Sequence, residues 1–285
     1  MWFRAFHGVP DSVVAPDRSP VNAVRGFLDH VSRLVTRHRP TQLVACLDAD
    51  WRPAFRVALL PSYKAHRVNE ATGTDTPDAL APQVAVILQV LEALGIAAVG
   101  APGYEADDVI GALAAQATSD VLVVTGDRDL FQVVRPGVRV VYTVKRDEVL
   151  DEAAICARYG LPSAASYADF ALLRGDASDG LPGVPGIGEK TAAALVTRFG
   201  DVAGMLAALD AGDPTPALGK LDRARDYVAA AGPVVRVATD LRFPDLQTEA
   251  PRTPVDPERL LALSQRWGLT SSVSRLVQAL SGAAA

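Results

Sequence analysis

The chain has 285 residues, 49% hydrophobic and 21% charged, enough to bury a sizeable core as one large domain with a smaller one attached. A net charge of −5 at pH 7 argues against a broadly basic nucleic-acid-binding surface, so the local placement of basic residues carries more weight than their sum. Cys46 and Cys156 fit no zinc spacing, the apolar run Val84 to Ala101 is too interrupted for a membrane span, and Met1-Trp2-Phe3-Arg4 has no signal-peptide pattern; the expectation is a cytoplasmic protein with no membrane partner.

Thr41 to Leu47 is a short, partly β-branched apolar run of strand length that ends on Asp48. Pro61 to Pro82 is polar and reads as a mobile insertion. Val84 to Leu94 has apolar residues at helical spacing, with Gly95 as its C-cap, and Ile96 to Val99 is a second strand. Glu105 to Ala115 reads as a helix with acids in its first turn, where the helix dipole tolerates negative charge. Strands follow at Val121 to Val124 and Val138 to Val144. This alternation predicts an α/β domain to about residue 150. Ser166 to Leu173, Lys190 to Arg198, Asp201 to Leu209 and Asp222 to Ala231 read as helices of a second, mostly helical module. Pro244 to Pro257 reads as irregular, with one amphipathic helix after it.

Carboxylates arrive in four packets: Asp48; Glu105, Asp107 and Asp108; Asp127 and Asp129; Asp176 and Asp179. Each has an ordinary structural reading, as a strand-end cap, first-turn helix charges, a turn or an ordered loop. Three packets, however, sit at strand C-termini or at the helix starts that follow, which places them on one edge of a parallel sheet. Acids gathered there repel one another, and divalent cations such as Mg²⁺ or Mn²⁺ relieve that repulsion. The pattern therefore points to a metal-dependent enzyme acting on phosphate esters.

Gly183-Val184-Pro185-Gly186-Ile187-Gly188-Glu189-Lys190 predicts a tight hairpin whose backbone N–H groups face outward and lead into a helix N-terminus, a geometry suited to a phosphate backbone. Phe55-Arg56 with Tyr63-Lys64-Ala65-His66-Arg67 is a cation cluster with aromatics, suited to phosphate steering and base stacking, although a solvated helix face has the same composition.

The stretches FRVALLPSYKAHR, GYEADDVIG, TGDRDLFQVV and LLRGDASDGLPGVPGIGEKTA, in this order, resemble the bacterial and phage 5′-nucleases, which include the 5′–3′ exonucleases, flap endonucleases and the nuclease domain of DNA polymerase I. The resemblance runs from Arg4 to about Phe243. It implies a PIN-like catalytic domain with a central, mostly parallel sheet over residues 1–160, with an arch at 52–83. A helical domain of the helix–hairpin–helix (H3TH) type over 161–245 and an extension over 246–285 complete the expectation. It also implies that Asp48, Glu105, Asp107, Asp108, Asp127, Asp129, Asp176 and Asp179 bind two or more Mg²⁺ or Mn²⁺ ions. Tyr63, Lys64 and Arg67 match the arch, and Arg4 matches an arginine near the scissile phosphate. Gly183, Gly186, Gly188 and Lys190 match the DNA-binding hairpin, where the family often holds a monovalent cation such as K⁺.

The implied activity is two-metal hydrolysis of DNA carrying 5′ flaps, nicks, gaps or free 5′ ends, giving 5′-phosphate and 3′-hydroxyl products, by a monomer that also meets RNA primer ends. Family members begin with a further strand ending in an aspartate, which falls before Met1 here; a start codon assigned too late is the expected reason, with a truncated chain or a true loss of that ligand as the alternatives. Two rival readings stand beside this one. A non-catalytic binder of branched DNA would follow from that missing aspartate. An aspartyl-phosphate phosphatase would use Asp48-Ala49-Asp50, but leaves EADD and the glycine hairpin unexplained.

Overall fold

The computed structural model describes residues 1–68, 77 and 79–282. In chain order these form α1 (Trp2–Gly8), α2 (Asn22–His38), β1 (Val44–Leu47), α3 (Ala54–Leu59), α4 (Ala81–Leu94), β2 (Ala97–Gly100), α5 (Ala106–Gln116), β3 (Val121–Thr125), β4 (Val138–Tyr142) and β5 (Glu148–Leu150). The helices α6 (Glu152–Tyr159), α7 (Tyr167–Arg174), α8 (Glu189–Phe199), α9 (Val202–Asp210), α10 (Leu218–Asp222), α11 (Arg225–Val235), α12 (Pro257–Arg266) and α13 (Thr270–Gly282) follow. All the expected strands are present. The third residue of β5 is buried against β4, which explains why so short a strand, unmarked in the sequence, still holds. Two helices, not one, follow Pro257. Much of the expected mobile insertion, residues 69–76 and 78, lies outside the described residues.

Local chemistry sets the helix limits. Gly95 ends α4 in the left-handed region at φ 84°, and its amide donates back to the carbonyls of Glu92 and Leu91. The side chains of Asp151, Asp201 and Asp256 accept from the first-turn amides of α6, α9 and α12. At α5 a reciprocal capping box forms: Glu105 accepts from the Asp108 amide, and Asp108 accepts from the Glu105 amide.

Two compact units result. The first comprises residues 1–47, 74–99 and 243–285. Its core joins Val24, Leu28, Val31 and Val35 of α2 to Ile87, Val90, Leu91 and Leu94 of α4 and to Leu260, Leu276 and Leu280 of the C-terminal helices. A buried amide pair fixes this core: Gln83 Oε1 accepts from the Ala23 amide at 2.8 Å, and its Nε2 donates to Asn22 Oδ1 at 3.0 Å. β1 and β2 pair as a two-stranded sheet.

The second unit comprises residues 48–73 and 100–242. Its sheet has the order β3-β4-β5, with β3 parallel to β4 (Val121 opposite Val138) and β5 antiparallel to β4. Phe131, Tyr142, Tyr159, Tyr167 and Phe170 form a chain of ring contacts beneath it, with centroids 5.1–6.0 Å apart. The same core continues through Leu172, Leu195, Met205 and Leu221 into the helical half, so α7 to α11 share one interior with the sheet. Among the described residues, no single helix is long and apolar enough to cross a membrane.

Candidate active site

All four acidic packets fall in the second unit. Asp48 follows β1, and its Oδ1 accepts from the Ala106 amide at 2.8 Å, which sets it at the start of α5. Asp127 follows β3; its amide donates to Thr125 Oγ1 and its Oδ1 accepts from the Asp129 amide, both at 2.9 Å, so a tight turn presents the two acids together. Asp176 anchors a loop by accepting from the Ser178 amide at 2.9 Å, while its own amide and carbonyl pair with Leu181. Asp179 follows one turn later.

Electrostatics show that the packets meet. Asp107 is pushed well above the ordinary carboxylate range by burial, then by the charges of Asp127, Glu105 and Asp48, against the opposing pull of Lys64. Asp129 is raised by burial and by Asp127, Asp179 and Asp176. Asp179 is raised by burial and by Asp127, with Lys64 and Arg67 opposing. No ion pair among the described residues offsets Asp48, Asp107, Asp127 or Asp129. Oxygen donors held in mutual repulsion fit hard divalent cations. The side chains nevertheless do not surround a common point: among the described residues no three His, Cys, Asp or Glu stand in ligating geometry.

The other acids are held by cations. Lys64 Nζ donates to Glu105 Oε1, and Arg67 Nη2 donates to Asp179 Oδ1 at 2.6 Å and to the Ser178 carbonyl. Burial alone would lower the Lys64 ammonium, but Glu105 and Asp179 outweigh it and hold the pKa above its usual value. Arg174 and Arg128 approach Asp176 Oδ2 at 3.3 and 3.4 Å. The arch reaches this loop directly. The Lys64 amide donates to the Asp179 carbonyl at 3.0 Å, and a Cβ on Gly180, at φ 72°, would lie 2.1 Å from the Ser62 carbonyl oxygen. Only glycine permits that approach.

Four expectations need correction. Asp108 cannot ligate a metal as placed: it is 0% exposed, and both its oxygens are taken by Arg56 and by the amides of Glu105 and Ala238. Arg56 is no phosphate-steering group, because its guanidinium is buried against those same acids. The Tyr63 ring lies in the core, and its hydroxyl donates to Glu105 Oε2 at 2.5 Å, so it cannot stack on a base. Gly183 does not present its amide outward: it is buried, and its N–H donates to the Tyr227 hydroxyl at 3.1 Å.

Gly183 serves packing instead. Its Cβ would sit 2.5 Å from the Arg174 carbonyl oxygen, so two backbones cross in contact there. Tyr227, which also donates to the Leu172 carbonyl at 3.0 Å, carries no motif that sequence reading could have used. Gly186 and Gly188 are exposed, and a Cβ on Gly188 would meet nothing within 4 Å. Lys190 is exposed in the first turn of α8, which begins at Glu189. Arg4 is exposed on α1 of the first unit.

The family model described as 5′–3′ exonuclease, N-terminal resolvase-like domain, matches residues 1–160, and that described as 5′–3′ exonuclease, C-terminal SAM fold, matches residues 163–258. A 5′–3′ exonuclease of Streptomyces coelicolor is 58% identical, covering 98% of this chain and 97% of that protein. A 5′–3′ exonuclease of Mycobacterium tuberculosis is 51% identical over 98% of this chain and 95% of that protein. In structure the chain is similar to the bacteriophage T5 flap endonuclease in a pseudo-enzyme–product complex with DNA and metal ions, with TM-score 0.58 and 15% identity over 90% of this chain and 89% of that one. The phosphatase reading falls away with these matches, and Asp50 itself is engaged in accepting from the Arg52 amide at 3.1 Å. Two family models in tandem and full-length relatives of high identity agree with the four sequence motifs: the chain belongs to the 5′–3′ exonuclease family and is a hydrolytic nuclease.

Proposed function

We propose that the chain hydrolyses DNA phosphodiester bonds at 5′ ends and flaps in a divalent-metal-dependent reaction. The observation that supports this most is the set Asp48, Asp107, Asp127 and Asp129, none of them in an ion pair among the described residues: burial and then the charges of Asp127, Glu105 and Asp48 raise Asp107, and burial and then the charge of Asp127 raise Asp129, with Lys64 of the arch opposing at Asp107. These four, with Glu105, Asp176 and Asp179, would hold Mg²⁺ or Mn²⁺. When bound, such ions supply Lewis-acid stabilisation of phosphoryl charge and activate water.

The chain's own residues do the rest. Lys64 gives one of its three N–H donors to Glu105 and keeps others for a phosphate oxygen, and Arg67, one-third exposed in its side chain, sits beside it. Gly186, Gly188 and the start of α8 grip the duplex backbone without reading its sequence, and Lys190 adds charge there. The Gly186 carbonyl accepts from the Lys220 ammonium at 2.7 Å, so a hairpin K⁺ would compete with an internal cation. Flapped, nicked and gapped duplexes, RNA primer ends, a monomeric state and a cytoplasmic site of action complete the proposal.

The test is cleavage of an end-labelled 5′-flap duplex in Mn²⁺, with chelator and Asp127→Ala controls. Cutting near the branch, lost in both controls, is expected. Tight binding of the branched duplex with no cutting would instead favour a non-catalytic binder.

A further inference from the structure

Arg56 lies on the short helix α3 and is 2% exposed, yet each of its five N–H donors meets an acceptor. Nε donates to the Val234 carbonyl at 3.1 Å. Nη1 donates to Glu105 Oε2 at 2.8 Å and Asp108 Oδ2 at 2.7 Å; Nη2 donates to Asp108 Oδ1 at 2.7 Å and to the Arg236 carbonyl at 3.2 Å. Asp108 is equally saturated, since the Glu105 and Ala238 amides take its remaining positions at 3.1 and 2.9 Å. Complete pairing of this kind is what makes a buried charge pair tolerable. It also leaves neither side chain a second geometry.

What the network holds is the carboxylate of Glu105, with Arg56 on one oxygen and Lys64 on the other. Its other anchor is the chain at the C-terminal end of α11, through the carbonyls of Val234 and Arg236. One guanidinium therefore joins the start of α5 to the last turn of the helical half. A core polar network with no other purpose would not need to engage the one acid of the pair that faces Lys64.

We propose that Arg56, with Asp108 as its counter-charge, is a positioning residue for the nuclease reaction: it orients the Glu105 carboxylate and ties that orientation to the end of α11. This assignment rests on the nuclease reading above. Lysine cannot reproduce it, because an ammonium lacks the planar fork that spans both oxygens of Asp108 while reaching Glu105.

Three variants test it: Arg56→Lys, Arg56→Gln, and the double variant Arg56→Gln/Asp108→Asn. Each is assayed for flap cleavage, for Mn²⁺ affinity from the electron paramagnetic resonance signal of free Mn²⁺, and for melting temperature. The single Gln variant leaves Asp108 buried without a counter-charge, whereas the double variant removes both charges and recovers melting temperature. Activity and Mn²⁺ affinity are expected to stay about 10–100-fold below wild type in the double variant, with KM for DNA little changed and Arg56→Lys intermediate. Recovery of activity and Mn²⁺ affinity together with melting temperature overturns the proposal, because Arg56 then serves stability alone. Should neither Gln variant fold, Arg56→Lys decides, and wild-type activity there overturns it equally. Failure of the wild-type chain to cut in Mn²⁺ overturns the nuclease reading itself, and this assignment with it.

Discussion

The eight candidate acids of the second unit divide into two groups that differ in what faces them. Glu105, Asp108, Asp176 and Asp179 are met by Arg56, Lys64, Arg67, Arg128 and Arg174. Asp48, Asp107, Asp127 and Asp129 face mainly one another. In the first group each charge has a cation beside it, so removing one member leaves the other stranded. In the second group Asp107 and Asp129 are raised by burial and by neighbouring negative charge, a cost that a divalent cation would relieve. Loss of a paired acid or its partner should therefore weaken the fold, whereas loss of an unpaired acid should weaken catalysis and leave the fold firmer.

The largest expected effect falls in the second group. Asp127→Ala should lower single-turnover cleavage of an end-labelled 5′-flap duplex by at least about a thousandfold, the scale of losing a preorganised charge-stabilising group. Gel-shift affinity for the same duplex should survive. The first group should answer in stability: Arg56→Gln strands buried Asp108, and denaturant unfolding should show a loss of about 3–5 kcal/mol. Gly180→Ala forces a left-handed residue against the Ser62 carbonyl and should cost about 1–3 kcal/mol in the same measurement.

A smaller effect has a defined sign in pH. The folded pKa of Asp107 lies above its unfolded value of about 4, so the folded chain binds the extra proton between those two values. Stability then falls as pH rises through that window and levels off above the folded pKa. Metal-free Asp107→Asn should match wild type near pH 4 and melt progressively higher than it as pH rises. The smallest effect lies at the hairpin: Lys190→Gln should weaken DNA binding alike on all sequences and reduce the salt slope by about one.

Much of this was legible in the sequence, for physical reasons. Acids at the ends of apolar runs, as at Asp48 and Asp127, mark strand C-termini, and the glycine spacing at Gly186 and Gly188 marks an open turn. The apolar positions Val24, Phe27, Leu28, Val31 and Val35 also spell out α2, although its helical spacing is easily passed over between motifs. The partition of the acids was not legible, because it depends on which cation reaches which carboxylate across the fold. Arg56 and Arg67 look alike beside their aromatic neighbours, yet one is buried under α11 and the other reaches the rim of the site. Gly183 and Gly186 likewise share a motif, and only the crossing of Arg174 shows that the first is for packing.

Thermal melting with and without Mn²⁺, on wild type and on Asp107→Asn/Asp127→Asn, tests the division of the acids most directly. Wild type should melt higher when Mn²⁺ is added, and the double variant should melt above metal-free wild type but gain little from the ion. A wild-type chain indifferent to Mn²⁺, or a variant that gains as much as wild type, would contradict the account.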